Sequence, residues 1–275
     1  MGSFIGFTGN LREGAKQMRE ALDVIEKTGD AVSIAMISDF LALAYSRMGE
    51  FKSAEQTIER AMQFASDADP ISQVDVKIAQ AGLDLERGDA EAARREALDC
   101  ATRAEDMGAY ACVVASNVMF GAASLAQNDA PGARGPLERG SELCQVTNMA
   151  PMQTLLKGLL GSTRARLGDL PGGVEQWDAS LVTARGMGDR FGEAQTLWGR
   201  GRTYAHQQNP DLAAAVADLD RAIELFEGME ARPSLARALQ DRSRALSAAG
   251  RAEDAARDEQ RSVQLGRELG LLDFA

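Results

Sequence analysis

Apolar residues recur at spacings of three and four along almost the whole chain, and short polar turns interrupt them at regular intervals. This spacing places apolar side chains on one face of an α-helix. The dipeptides Asp69–Pro70 and Pro210–Asp211 mark helix starts, because proline is tolerated in the first helical turn. The pattern predicts about thirteen helices, at residues 10–27, 31–48, 51–67, 71–87, 89–107, 109–127, 130–147, 150–167, 170–187, 190–208, 211–228, 232–249 and 252–269.

Glycine or asparagine closes alternate helices, just before a short polar turn. These closing residues are Gly9, Gly49, Gly88, Asn128, Gly168 and Gly250. The first four intervals between them are 40, 39, 40 and 40 residues. The last interval is 82 residues and contains one more unit, whose turn at Gln208 has two extra residues. Because Gly and Asn tolerate the left-handed conformation that ends a helix, the chain is predicted to repeat about every 40 residues.

Three further positions of the repeat keep the same register, and small residues occupy all of them. Five residues after the closing residue stand Gly14, Ala54, Ala93, Ala133, Gly173, Ala215 and Ala255. Twelve after it stand Ala21, Ala61, Cys100, Gly140, Ser180, Ala222 and Ser262, and seven before it Ala42, Ala81, Gly121, Gly161, Gly201 and Ser243. Small side chains at fixed points allow paired helices to approach closely.

The second unit carries a recognisable motif, Leu41-Ala42-x-x-Tyr45-x-x-x-Gly49-x-Phe51-x-x-Ala54, followed by Ala61-Met62. This motif and the seven registers resemble the tetratricopeptide repeat (TPR) family, whose unit is an antiparallel helix pair. The period departs from the common 34 residues. It is similar to the long form found in kinesin light chain, polarity adaptors and the sensor arms of bacterial signal-transducing ATPases.

The resemblance implies an all-α fold, a right-handed α-solenoid of about seven antiparallel helix pairs whose first unit is incomplete. We expect one solenoid domain over residues 1–275, as part of a longer protein. The first residues include Phe4, Ile5 and Phe7, which would lack a partner from an earlier unit. Either the chain is excised from that longer protein, or this apolar end docks on something. The apolar ending after Glu268 resembles the turn into a further unit.

Composition excludes several classes of function. Lys plus Arg number 30 and Asp plus Glu 41, a net charge of −11 that argues against nucleic acid and anionic membranes as partners. No apolar run approaches the ~20 residues of a membrane span, and no secretory signal is apparent, so we expect a cytoplasmic protein. Cys100, Cys112 and Cys144 are predicted to be buried free thiols.

No catalytic signature is present, and we predict that the protein is not an enzyme. A single histidine, His206, does not suffice for a zinc or non-haem iron site in one copy of the chain. The Gly-rich stretches at residues 132–135 and 199–201 follow no predicted strand and lack the Gly-Lys-Ser/Thr of a phosphate loop. We therefore expect no cofactor, no metal and no catalytic residue.

The resemblance implies that the first helix of each unit lines a concave groove. Transferred by register, the groove is acidic early in the chain, apolar in the middle and rich in arginine late. The candidate partner-binding residues are Arg166, Gln195, Trp198, Arg202, His206, Arg237, Gln240, Arg244, Val118, Met119 and Leu125. Arginine offers planar donors for a carboxylate or phosphate, so the late group is typical of an anion-binding surface.

Two alternatives stay open for these residues. The arginines could instead pair with Asp241, Asp220 or Glu193 and only solubilise the groove. Trp198 and the apolar middle could be packing residues of the solenoid.

Two functions remain as well. The first is a non-catalytic interaction scaffold that binds a peptide or protein segment, an acidic one if the arginines contact it. The alternative is the ligand-sensing regulatory arm of a bacterial multidomain ATPase, cyclase or transcription regulator. Self-association through the apolar ends is a further option.

Overall fold

Aspartate side chains start many of the helices. The computed structural model describes residues 9–65, 69–147 and 149–274, with only the backbone of residues 150 and 151. The carboxylate of Asp89 accepts a hydrogen bond from the backbone N–H of Ala92 at 2.9 Å, and Asp169 does the same for Gly172 at 3.0 Å. Such caps satisfy backbone donors that have no partner within the helix.

Every regular element in the described ranges is helical, as predicted. The α-helices there are α1 (Leu11–Ile25), α2 (Ala31–Met48), α3 (Phe51–Phe64), α4 (Pro70–Arg87), α5 (Ala90–Asp106), α6 (Tyr110–Ala126), α7 (Ala130–Thr147), α8 (Ala150–Arg166), α9 (Leu170–Met187), α10 (Arg190–Ala205), α11 (Leu212–Met229), α12 (Arg232–Ala248) and α13 (Ala252–Leu269). Two 3-10 turns, Glu26–Thr28 and Leu272–Phe274, complete the elements. The predicted ends agree within three residues, although the end predicted at residue 67 lies outside the described residues.

Left-handed residues occupy the predicted closing positions, with one exception. The closing residues with φ between 61° and 99° are Gly9, Gly49, Gly88, Asn128, Gly168 and Gly250. The predicted seventh position differs, because neither Gln208 nor Asn209 has a positive φ. There α10 ends early, at Ala205, and a longer turn leads into α11.

The repeated small residues lie between the two helices of each pair. All of them are buried except Ala21, which is partly exposed. At the position twelve residues after the turn, the Ser180 hydroxyl donates to the Thr154 carbonyl at 2.8 Å and the Ser262 hydroxyl to the Ala236 carbonyl at 2.7 Å. The second helix therefore both packs on the first and hydrogen-bonds to its backbone.

The solenoid curves until its late helices contact its early ones. Helix α12 packs against α2 and α4, and one buried cluster joins side chains of α1 and α2 to side chains of α9 to α12. The Arg12 guanidinium on α1 contacts the Glu230 carboxylate after α11 at 2.6 Å. The described helices thus surround a central space, with the first helix of each pair on the inside.

The apolar residues after α13 pack on the solenoid, where Leu271 is 3% exposed. The further unit that this ending resembles stays a prediction. The Phe274 ring covers Gly266 so closely that a Cβ there would lie 2.5 Å from Cγ of the ring. The expectation about Phe4, Ile5 and Phe7 lies outside the described residues.

Helix α2 is long and apolar enough, by length and composition, to cross a membrane, with a mean hydropathy of 1.3. In the structure, however, 61% of this helix is buried inside the protein. Its packing against α3, α4 and α12 is that of a core helix in a solenoid.

Candidate functional site

A cavity of about 380 Å³ occupies the centre of the solenoid. All six inner helices, α2, α4, α6, α8, α10 and α12, contribute to its wall. Five arginines and three carboxylates line it, which is a local excess of positive charge in a chain of net charge −11. The cavity is therefore both enclosed and electrostatically distinct from the rest of the molecule.

One wall of the cavity is apolar and comes mainly from α6 and α8. Val118 and Met119 are 3% and 9% exposed, and Leu125 is 5% exposed. Leu155 and Leu159 of α8 continue this wall. An apolar wall facing a few polar groups is the usual composition of a ligand pocket.

Three guanidinium groups of the cavity wall form what we call the arginine cluster (Arg166, Arg202 and Arg244), and two of them lie near one carboxylate. Asp241 lies 3.9 Å from Arg202 Nε and 3.6 Å from Arg244 Nη1, measured to its carboxylate oxygens. The same carboxylate accepts the indole N–H of Trp198 at 2.8 Å. One negative charge therefore faces three positive ones.

Arg166 forms no ion pair with any residue in the described ranges. Its Nη1 donates to the Leu125 carbonyl at 2.9 Å. Burial lowers the pKa of Arg166 to about 10, and the positive charge of Arg202 acts in the same direction. A partly buried guanidinium without a carboxylate is costly, and an anion in the cavity would offset that cost.

Arg237 is held differently from the arginine cluster. Its Nε and Nη2 contact the two carboxylate oxygens of Asp273 at 2.6 Å and 3.1 Å, and Nη2 also donates to the Glu86 carbonyl at 3.0 Å. Burial raises the pKa of the Glu86 carboxyl, and Arg237 and Arg47 partly oppose that shift. Asp273, beyond the last repeat, thus supplies part of the cavity wall.

The predicted ion pairs of the arginines are found only in part. Asp241 does lie near Arg202 and Arg244, as the pairing alternative expects. Asp220 instead contacts Arg242 at 2.8 Å, and Glu193 contacts Arg185 at 2.8 Å. Both carboxylates are therefore engaged with other arginines.

Trp177 and Trp198 have different surroundings. Trp177 is fully buried, and its indole N–H donates to the Gly158 carbonyl at 3.2 Å. Trp198 is only partly buried, packs edge-on against Phe226 and also lines the cavity. Trp177 is a packing residue, whereas Trp198 combines packing with a place in the cavity wall.

The structure brings ten of the eleven candidate residues into one wall. They are Arg166, Gln195, Trp198, Arg202, Arg237, Gln240, Arg244, Val118, Met119 and Leu125. His206 is the exception: it is exposed at the end of α10, where its Nδ1 lies 2.8 Å from the Arg202 carbonyl. Because α10 stops at Ala205, the inner register does not extend to His206.

Several cavity residues are outside the candidate set, notably Phe191 and Asp273. The corresponding positions in earlier units hold Val32 and Ile71, both exposed, so the register alone does not single out Phe191. Asp273 lies 23 residues after Gly250, the same distance as Phe191 from Gly168, so the two share one repeat position. In the ranges that the structure covers, no group of three or more His, Cys, Asp or Glu side chains is placed to hold a metal ion.

Of the early acidic positions of the predicted groove, Asp39, Asp75 and Glu86, only Glu86 lines the cavity. Asp39 and Asp75 lie outside it. Burial raises the pKa of both carboxyl groups, and the charge of Asp75 raises that of Asp39 further. Asp75 accepts a hydrogen bond from the Cys112 thiol at 3.1 Å. Cys100, Cys112 and Cys144 are buried free thiols, as predicted.

Two solved structures share this fold. One is a Rap protein complexed with competence and sporulation factor, with a TM-score of 0.73 and 14% identity; the match covers 97% of this chain and 73% of that one. The fold is therefore a TPR-like α-solenoid. The other is aspartyl phosphate phosphatase F from Bacillus subtilis, with a TM-score of 0.66 and 13% identity, covering 94% of this chain and 66% of that one.

This solenoid accordingly spans about two thirds to three quarters of the length of those two proteins. No family model and no curated protein sequence matches the chain. The structural likeness confirms the helical-repeat fold, whereas the assignment to the long TPR form stays a prediction.

Proposed function

We propose that this solenoid is a non-catalytic interaction module that binds an acidic peptide, or an acidic segment of a partner protein, in its central cavity. The arginine cluster carries the proposal, because three guanidinium groups face the single carboxylate of Asp241 in the cavity wall. A carboxylate of the partner would complete that arrangement with charge-assisted hydrogen bonds.

The apolar wall sets a second requirement for the partner, namely an apolar side chain. Val118, Met119 and Leu125 line the same cavity as the arginine cluster, so we expect an apolar side chain next to the acidic one. The Rap structure was solved as a complex with competence and sporulation factor, which supports the general idea that this fold accommodates a partner. We infer binding at the inner helices of the present chain from its own cavity.

The sensor-arm alternative also has an observation in its favour. A volume of about 380 Å³ falls within the ~300–1,000 Å³ typical of small-molecule pockets. A small amphipathic carboxylate would meet the same two walls as a peptide. Both versions of the proposal place this chain in a longer signalling protein and in the cytoplasm, as the sequence suggests.

Fluorescence polarisation with labelled pentapeptides tests the proposal. One set carries Glu or Asp beside Leu, and the matched set carries Gln or Asn in the same places. We expect wild-type protein to bind the acidic set more tightly than the amide set. In Arg166→Gln/Arg202→Gln the ratio of the two affinities should fall by about tenfold or more, because hydrogen bonds to charged groups contribute about 1.5–3 kcal/mol each.

Arg134→Gln is the matched control, because Arg134 is exposed, pairs with Glu138 and lies outside the cavity. It removes one positive charge outside the cavity and should leave the preference intact. Equal affinity of wild-type protein for the acidic and amide sets would exclude an acidic-peptide site. Binding of small amphipathic carboxylates without any peptide would favour the sensor arm.

A further inference from the structure

The last turn of the chain lies on a seam where the end of the solenoid meets its beginning. We define the seam as Leu269 to Phe274 together with the turns at Gly49 and Gly88. A Cβ on Gly49 would lie 2.5 Å from Leu269 Cδ2, and one on Gly88 would lie 2.9 Å from the backbone nitrogen of Asp273. Glycine therefore permits close contacts with the Leu269 side chain and with Asp273 that a larger residue would block.

Asp273 links this seam to the cavity. Its two carboxylate oxygens occupy the planar fork of Arg237, whose side chain is only 14% exposed. Both residues line the cavity, and Arg237 also donates to the carbonyl of Glu86 on α4. One arginine thus joins α12, the last turn and α4, and its partner in this arrangement is a carboxylate of the chain itself.

We propose that Asp273 is an intramolecular competitor for Arg237, so that the last turn acts as a latch on the cavity. A carboxylate or sulfonate entering the cavity takes the guanidinium fork of Arg237 in place of Asp273. The turn then detaches from the ends of α2 and α4, and the ring of helices opens at the seam. The identity of the competitor rests on the proposed function, whereas the latch itself does not.

An ion pair between α12 and α13 provides a matched control for the pair between α12 and the last turn. Arg232 contacts Glu268 at 3.0 Å, with the same sequence separation as Arg237 and Asp273. Neither Arg232 nor Glu268 lines the cavity. Glu268→Gln therefore removes one carboxylate from the same pair of helices without touching the latch.

Amide hydrogen exchange of the ligand-free protein tests the latch. The Leu271 N–H donates to the Gly266 carbonyl and the Phe274 N–H to the Leu271 carbonyl, so both amides report on the last turn. We expect Asp273→Asn to accelerate their exchange roughly 5- to 30-fold and Glu268→Gln to leave it unchanged. Amides of α8 should exchange at the wild-type rate in both variants, which shows that the fold is intact.

Titration with 8-anilinonaphthalene-1-sulfonate, an apolar anion, tests the competition. Asp273→Asn should bind this probe several-fold more tightly than wild type does. The double variant Asp273→Asn/Arg237→Gln should not show this gain in affinity. Equal affinity of Asp273→Asn and wild type for the probe would overturn the competition. Unchanged exchange of Leu271 and Phe274 in Asp273→Asn, or equal acceleration in Glu268→Gln, would overturn the latch whatever the cavity binds.

Discussion

Two neighbouring positions of the repeat, seven and six residues before the closing turn, behave in opposite ways. The first holds only Ala, Gly or Ser and is buried between paired helices in every unit. The second lines the cavity in all six units, where it is occupied by Leu43, Gly82, Ala122, Ser162, Arg202 and Arg244. Helix packing leaves no room for variation at the first position, whereas the second faces open space. Differences in binding between such solenoids are therefore expected at the second position.

The largest expected effect comes from placing leucine at these two positions in one unit. A Cβ on Gly121 would lie 2.4 Å from Leu137, which is fully buried, whereas Ala122 faces the cavity. We expect Gly121→Leu to lower the free energy of unfolding by about 3 kcal/mol and Ala122→Leu by less than about 1 kcal/mol. Urea denaturation measures both, and similar losses would show that the two positions are equivalent.

A smaller difference in the free energy of unfolding is expected between replacing an arginine that lies between paired helices and replacing one in the cavity. Arg200 contacts both carboxylate oxygens of Asp218, which is 9% exposed, at 2.7 and 2.8 Å. Arg200→Gln should lower the free energy of unfolding by about 2 kcal/mol, because it leaves a buried carboxylate unpaired.

Arg166→Gln should change the free energy of unfolding by no more than about 1 kcal/mol, in the stabilising direction, because Arg166 contacts a carbonyl and no carboxylate among the described residues. Urea denaturation of the two glutamine variants side by side gives the contrast. A loss at Arg166 as large as that at Arg200 would mean that Arg166 is a structural residue.

The smallest effect concerns a carboxyl group on an inner helix outside the cavity. Burial raises the pKa of Asp39 well above its ordinary value near 3.8, and the negative charge of Asp75 raises it further. The folded state therefore holds this proton more tightly than the unfolded chain, and stability falls as the pH rises from about 4 through the raised pKa.

Asp39→Asn should accordingly stabilise the protein at pH 7.5 by about 1 kcal/mol and have almost no effect at pH 4. Thermal unfolding at the two pH values provides the measurement, with Asp23→Asn on the exposed face of α1 as the control. A stabilisation of equal size at both pH values would contradict the assignment to Asp39.

The repeat register predicted the helices because the signals for each are local. A left-handed residue ends one helix, an aspartate starts the next, and small residues mark where the two touch. The same register predicted most of the cavity wall, since an inner position in one unit is inner in the others. It failed at His206, where two extra residues lengthen the turn and α10 stops early.

Three features required the folded molecule. Phe191 lines the cavity although exposed residues hold its place in earlier units, because it belongs to the buried cluster that joins late helices to α1 and α2. Asp273 holds the same repeat position as Phe191, but its pairing with Arg237 depends on the packing of α13 on α12. Trp198 donates to Asp241, a pairing across two inner helices that spacing alone does not indicate.

The sequence by itself determined the all-helical fold, the 40-residue period, the small residues within each pair and the place of arginine late in the inner register. Tertiary structure decided that the late helices close on the early ones, which carboxylates the arginines contact, and how much space remains at the centre. The physical reason is that helix ends and pair contacts depend on neighbouring residues. Closure instead depends on the sum of small rotations between successive units, which no single stretch of sequence specifies.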